Sequence, residues 1–331
     1  MKYNELIAYL CIGALASFCI TKYMTAWLIP KLKSVKLGQK ILDIGPRWHK
    51  NKEGTPTMGG LAFLVAFAVV FAALAALAGF RNQLQSVGKV LLCFGLILLN
   101  GAIGCLDDYT KFFKKQNQGL SAKMKYLLQF IVASGFTFGM AWLNSFETYM
   151  YIPFYGKEVD LGWGWYVVSV LLITGVVNSV NLTDGIDGLA SSVTFVVSAF
   201  FVVAGTVALN YGAVILGSVL IGITVGFLVY NLYPAKIFMG DTGSLFLGAG
   251  VISLAYLIDN PLIALISGVI YVFEAASVII QVSVYKLTKK RVFKMAPVHH
   301  HFEKTGWSEM KIVIVFSCVT LAFCVLAYFG L

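Results

Sequence analysis

"WYVVSVLLITGVVNSVNLTDGIDGLASSVTFVVSAFFVVAG" (residues 165–205) consists of two apolar runs separated by a short stretch of another character. Each run approaches the roughly 20 residues that a helix needs to cross a bilayer core. Between them "NLTDGIDGLA" (181–190) sets Asn181, Asp184 and Asp187 among glycines. Carboxylates at the mouth of an apolar segment are costly unless hydrated, paired or bound to something. The stretch therefore predicts two membrane spans joined by a polar binding loop.

Runs of this kind recur along the whole 331-residue chain, which is 59% hydrophobic and only 12% charged, with a mean hydropathy of +0.83. A soluble domain would carry about 25% charged residues. Ten spans are predicted, at 6–29, 58–80, 88–106, 124–143, 165–180, 188–207, 212–230, 241–258, 262–285 and 310–330. The runs are continuous rather than alternating, which excludes a transmembrane β-barrel. The expected fold is an all-α integral membrane protein, a single polytopic domain over residues 1–331 with no soluble domain and no fixed-period repeat. The first run is too long for a signal-peptide core and is expected to remain as the first span. Six cysteines (Cys11, Cys19, Cys93, Cys105, Cys318, Cys324) fall inside predicted spans and read as free apolar thiols.

Basic residues set the orientation. The loops after spans 1, 3, 5, 7 and 9, with the span ends that border them, hold twenty Lys and Arg, and the opposite face holds four. By the positive-inside rule those odd-numbered loops are cytoplasmic and both termini are extracytoplasmic.

The polar motifs collect on the same predicted face. "GCLDDYTK" puts Asp107 and Asp108 at the end of span 3. "NLYPAKIFMGDTGS" puts Asn231, Lys236 and Asp241 between spans 7 and 8. "APVHHHFEKTGW" puts His299, His300 and His301 before span 10, and "HKNKEGTPTMGG" opens span 2. The topology came from Lys and Arg alone, so this clustering is an independent agreement. Five aspartates beside many lysines suggest a site for Mg²⁺ and phosphate. Mg²⁺ takes oxygen ligands, usually one or two carboxylates with water or phosphate, and lysines neutralise phosphate. Glycines such as Gly185 and Gly240 let backbone N–H groups approach an anion.

Blander readings compete. "DGIDG" lacks the third oxygen ligand and closing Glu of a calcium loop. Three successive histidines converge poorly on one zinc ion, and no cysteine lies near. Lys114 and Lys125 read as topology signals beside anionic lipid. Glu274, deep in span 9, reads as a structural polar contact near Ser277 and Gln281 on about the same helix face. An ion-coupled transporter would place acids near mid-bilayer; here only Glu274 lies deep.

"GTPTMGG" (54–60), "LDDYTK" (106–111), "NLTDGIDGLA" (181–190), "NLYPAKIFMGDTGSL" (231–245) and "APVHHHFE" (296–303) together resemble the successive signatures of the phospho-N-acetylmuramoyl-pentapeptide transferase family. That family lies within the polyprenyl-phosphate N-acetylhexosamine-1-phosphate transferases, and the resemblance covers the whole chain in order. It implies transfer of phospho-MurNAc-pentapeptide from UDP-MurNAc-pentapeptide to undecaprenyl phosphate, giving lipid I and UMP, with Mg²⁺, in the bacterial plasma membrane. It implies Asp241 as metal ligand and Asp107 and Asp108 as catalytic carboxylates, with His299 and its neighbours His300 and His301 at the phosphates or sugar. It places the uracil near Gly185, Ile186, Asp187, Asn231 and Phe238, and it implies a homodimer. Lys111, Lys115 and Lys123 are expected to balance phosphate charge. Thr55, Asn181 and Asp184 are expected to touch substrate, together with Lys50 or Lys52. A GlcNAc-1-phosphate transferase on the same scaffold is the alternative.

Overall fold

The computed structural model describes residues 2–34, 52–113, 119–144 and 148–331. Its long helices are α1 (Lys2–Ser34), α2 (Gly60–Phe80), α3 (Val87–Phe113), α4 (Ala122–Leu143), α5 (Gly164–Thr183), α6 (Leu189–Val207), α7 (Tyr211–Asn231), α8 (Gly240–Leu257), α10 (Val269–Thr288) and α12 (Glu309–Tyr328); α9 (Ile263–Ser267) and α11 (Val298–Glu303) are short. Ten of the described helices are long and apolar enough to cross a membrane. All ten predicted spans have a helix. Large apolar side chains such as Leu15, Trp27, Leu91, Trp142 and Leu171 stand exposed around the bundle. A bilayer accepts such a surface, which water would not.

Helix α8 is the hub, packed against α2, α3, α5, α6 and α7 and buried from Thr242 to Leu257. Its small residues permit close backbone approach, the usual device for helix association in lipid. Added Cβ atoms would sit 2.2 Å from Gly243 N at Gly60, 2.1 Å from Asp241 O at Gly104 and 2.7 Å from Val177 Cα at Gly248. Gly60 and Gly104 bring the start of α2 and the end of α3 directly onto the N-terminus of α8, and Gly248 seats α5 against its middle. A cluster of Phe63, Phe67, Phe227 and Phe246, with Phe63 edge-on to Phe227 at 4.8 Å, fills the space below.

Three features depart from ten uninterrupted helices. Strands β1 (Tyr149–Ile152) and β2 (Lys157–Asp160) form an antiparallel hairpin between α4 and α5, pairing Tyr149 with Asp160 and Ile152 with Lys157. The all-helical expectation overlooked it. "YMYI" has β-prone aromatic and branched residues, and Phe154 and Gly156 both take positive φ in the turn. The predicted span 262–285 is broken at Gly268, which separates α9 from α10. Helix α3 runs past the predicted end at 106 to Phe113, which puts Asp107, Asp108 and Lys111 on helical backbone. An apolar groove of about 280 Å³ lies between α5 and the broken α9–α10 pair, lined by Leu171, Gly175, Val176, Leu265, Val272 and Ala276 among others.

Candidate active site at one end of the bundle

Five of the polar motifs meet where α3, α5 and α7 end and α2, α8 and α12 begin. Asp108 decides how. Its Oδ1 accepts the Asp241 N–H at 3.2 Å, and its Oδ2 accepts the Thr242 N–H at 2.9 Å and the Thr242 hydroxyl at 2.7 Å. The first N–H groups of a helix have no intrahelical partner and carry partial positive charge. A carboxylate from α3 thus caps α8 across the helix interface. Gly240 takes φ +69°, and a Cβ there would strike Asp108 Oδ2 at 2.5 Å, so the turn into α8 requires glycine.

The cap sets Asp241 beside Asp107 and Asp108; one carboxylate oxygen from each lies within 4.8 Å of the others. Lys111 sits among them, with Nζ 2.7 Å from Asp107 Oδ2, 3.5 Å from Asp108 Oδ1 and 2.6 Å from Asp241 Oδ2. The i, i+3 and i, i+4 spacing on α3 makes the first two contacts possible. Lys125 Nζ reaches Asp241 Oδ2 at 3.1 Å. Asn181 Nδ2 donates to Asp241 Oδ1 at 2.8 Å and to Ser244 Oγ at 2.7 Å. Asp107 Oδ1 accepts the Leu120 N–H at 2.8 Å. Three carboxylates outnumber two lysines here, and the carboxylate oxygens are the donor type that suits a hard divalent cation.

The loop between α5 and α6 forms the adjoining wall. Asp184 is partly buried and its carboxylate makes no hydrogen bond or ion pair among the described residues. Burial, then the carboxylates of Asp241, Asp108 and Asp187, push its pKa up to about 8. Asp187 is fully engaged: Oδ1 meets Lys52 Nζ at 2.7 Å and Oδ2 accepts the Ala235 N–H at 2.8 Å. Asn231 accepts the Gly188 N–H at 3.2 Å and donates to Ile237 O at 3.0 Å, which locks the α7–α8 connection to the loop. Phe238 is partly exposed, with its N–H on Pro56 O at 2.8 Å and its carbonyl receiving Gly59 N–H at 2.9 Å. Ile186 is buried, and the Thr55 N–H donates to Lys52 O at 3.1 Å.

His299 closes the pocket from α11. It is 0% exposed. Its Nε2 lies so close to Gly185 that a Cβ there would be 2.1 Å away. Its Nδ1 is 3.1 Å from Glu274 Oε2, an ion-pair distance without the alignment of a hydrogen bond. The Glu274 carboxylate therefore faces His299. Among the described residues Ser277 Oγ bonds the Glu274 carbonyl at 2.7 Å, not its carboxylate, and Gln281 accepts the N–H groups of Val292 and Phe293. His300 stacks edge-on against His299 at 4.1 Å and bonds Glu303 at 2.6 Å. His301 Nδ1 accepts the Lys294 N–H at 3.1 Å, outside the cluster.

One expected contact differs in place. Lys123 is exposed and makes no ion pair or hydrogen bond among the described residues, whereas Lys125, read from sequence as a topology signal, points into the acids. Two positions on a helix are about 200° apart, so both cannot face one pocket. Lys50 and Lys115 lie outside the described residues. Sequence reasoning missed Thr242, Ser244 and Glu309. Thr242 and Ser244 stand inside the quoted "GDTGS". Glu309 follows Ser308, whose Oγ accepts the Lys311 N–H, and so resembles an ordinary acidic residue in a capped first turn.

The chain is similar in sequence to known proteins. A model described as glycosyl transferase family 4 matches residues 90–259, and the first signature of phospho-N-acetylmuramoyl-pentapeptide-transferase matches residues 52–64. The phospho-N-acetylmuramoyl-pentapeptide-transferase of Carboxydothermus hydrogenoformans is 46% identical over 92% of this chain and 93% of its own. That of Acetivibrio thermocellus is 44% identical over 95% and 93%, and that of Caldicellulosiruptor bescii 40% over 96% and 95%. Multi-pass membrane character follows from the ten apolar helices and these relatives together. With this similarity over nearly its whole length, the chain belongs to the phospho-N-acetylmuramoyl-pentapeptide-transferase family.

Proposed function

We propose that the chain acts as one polytopic transferase domain in the bacterial plasma membrane, with both termini outside and the site at the cytoplasmic face. It moves phospho-MurNAc-pentapeptide from UDP-MurNAc-pentapeptide to undecaprenyl phosphate, yielding lipid I and UMP, the first membrane step of peptidoglycan synthesis. The observation that carries this reading is the convergence of Asp107, Asp108, Asp241, Lys111 and Lys125 beside the 184–188 loop. A soluble nucleotide and a lipid headgroup can both reach a site at a helix-bundle end. The groove between α5 and α9–α10 offers the lipid tail an apolar path.

One phosphoanhydride is exchanged for another, so the reaction is nearly thermoneutral. The protein must mainly align the two reactants and offset their repulsion. An oxygen of the lipid phosphate attacks the phosphorus next to the sugar, and the bond to the UMP phosphate breaks. Asp241 would hold Mg²⁺, with Asp184 a better further ligand than Asp187, because the Asp187 oxygens are already engaged. Bound there, Mg²⁺ would neutralise diphosphate charge. Lys111 and Lys125 supply further positive charge, and Asp107 orients the lipid phosphate or takes its residual proton. That phosphate is mostly ionised at neutral pH, with a second pKa of about 6, so a strong base is unnecessary. Uracil stacks on Phe238 over the backbone of residues 185–187, and His299 works at the sugar-phosphate. The functional unit is a homodimer. Donor competition tests the specificity: UDP-MurNAc-pentapeptide is consumed and excess UDP-GlcNAc does not slow it. Preference for UDP-GlcNAc would keep the scaffold and overturn the named donor.

A further inference from the structure

Three segments far apart in sequence converge behind the 184–188 loop. Lys52 comes from the stretch before α2, Asp187 from the loop itself, and Glu309 from the first turn of α12. Lys52 Nζ lies 2.7 Å from Asp187 Oδ1 and 2.6 Å from Glu309 Oε2. The same Glu309 oxygen accepts the Asp187 backbone N–H at 3.0 Å. Asp187 Oδ2 takes the Ala235 N–H at 2.8 Å, which adds the α7–α8 connection to the group. The side chains are sheltered, at 1% exposure for Asp187, 11% for Glu309 and 15% for Lys52. Salt screens such charges much less than surface pairs.

We propose that Glu309 is a positioning residue for nucleotide binding. With Lys52 it forms a clasp that fixes the backbone of Gly185, Ile186 and Asp187 before substrate arrives. The inference rests on the reading that residues 185–187 hold the uridine end of the donor. Its basis is the two-point grip: Glu309 holds both the main-chain N–H of Asp187 and the lysine that holds the Asp187 side chain. An isolated ion pair tethers side chains only, but this arrangement tethers the peptide plane. Lys52, neutralised by two carboxylates, belongs to the clasp and not to the phosphates. A loop ordered in advance spends less binding energy on ordering when the ligand arrives. The first turn of α12 thus becomes part of the nucleotide site without touching the nucleotide.

The test uses the full chain in detergent, with UMP as probe. Calorimetry gives the UMP Kd, and a UMP-release assay gives KM for donor and for lipid phosphate separately. Glu309→Gln keeps shape and removes charge. It is expected to raise the UMP Kd and donor KM about tenfold, equivalent to about 1.4 kcal/mol, and to leave the lipid KM within about twofold. Lys52→Met added to Glu309→Gln should cost little more than either alone, because clasp members act as a unit. An unchanged UMP Kd in folded Glu309→Gln protein overturns the proposal. So does an equal rise in both KM values, which marks a general structural defect. If Glu309→Gln does not fold, Glu309→Asp serves: weakened UMP binding with an unchanged lipid KM supports the clasp, and wild-type UMP binding overturns it. Wild-type protein that binds UMP but turns over no donor defeats the proposed reaction, while UMP Kd values still decide the clasp. Wild-type protein that does not bind UMP overturns both.

Discussion

Gly185→Ala tests the link between the nucleotide loop and His299. The new Cβ would lie 2.1 Å from His299 Nε2 and 2.4 Å from its Cε1, where ordinary contact begins at 3.4 Å. One partner must therefore move by about 1.3 Å. His299 has little freedom to do so: it is fully buried, with His300 packed on its ring and Glu274 beside Nδ1. The loop is held too, through Asp187 and Gly188. Overpacking of this kind costs ~1–3 kcal/mol, which lowers the unfolding temperature without abolishing the fold. A misplacement of ~1 Å near reacting groups can cost ~10²-fold in rate. UMP release should therefore fall about a hundredfold in kcat/KM for the donor. Gly95→Ala, where an added Cβ meets nothing within 4 Å, is the control and should match the parent. Wild-type kcat/KM and wild-type UMP affinity in folded Gly185→Ala protein would refute the placement of His299 against the loop.

Three further outcomes follow. Asp108→Asn removes the charge that caps α8, so the unfolding temperature in detergent should drop by the equivalent of ~1–2 kcal/mol; an unchanged value would remove Asp108 from that role. Lys125→Met should lower turnover far more than Lys123→Met, because Lys125 reaches Asp241 and Lys123 does not; the reverse ranking would contradict the geometry. For Asp184, the folded pKa of about 8 stands above the ordinary 3.8. The folded state keeps a proton that the unfolded chain has released. In chelator, stability should thus fall as pH rises between those values and level off above about 8. Asp184→Asn should flatten that slope, and thermal scans across this pH range that show the same slope in parent and variant would refute the assignment.

Much of the fold was legible in the sequence because lipid imposes long apolar runs and leaves few alternatives. The convergence of "LDDYTK", "NLTDGIDG", "NLYPAKIFMGDTGS" and "HHH" at one end followed from alternating span direction. What escaped was decided by local or tertiary geometry. The end of α3 extends through Asp107, Asp108 and Lys111 because these charges satisfy one another and the α8 terminus, where hydropathy alone predicts an end. The choice between Lys123 and Lys125 depends on the register of α4, set by Ser121 accepting the Met124 N–H. Glu274 found its partner 25 residues away in His299 rather than on its own helix face. The β1–β2 hairpin is too short to announce itself among ten spans, although the β-prone "YMYI" and the Gly156 turn are visible once sought.

The most direct measurement is UMP release by purified protein given UDP-MurNAc-pentapeptide, undecaprenyl phosphate and Mg²⁺, with each component omitted in turn and Asp241→Asn alongside. The account predicts release that needs all three components and is lost in the variant, because Asp241 joins Lys111, Lys125 and Asn181 at the centre of the acidic cluster. Release that persists without Mg²⁺, or in folded Asp241→Asn protein, would contradict it.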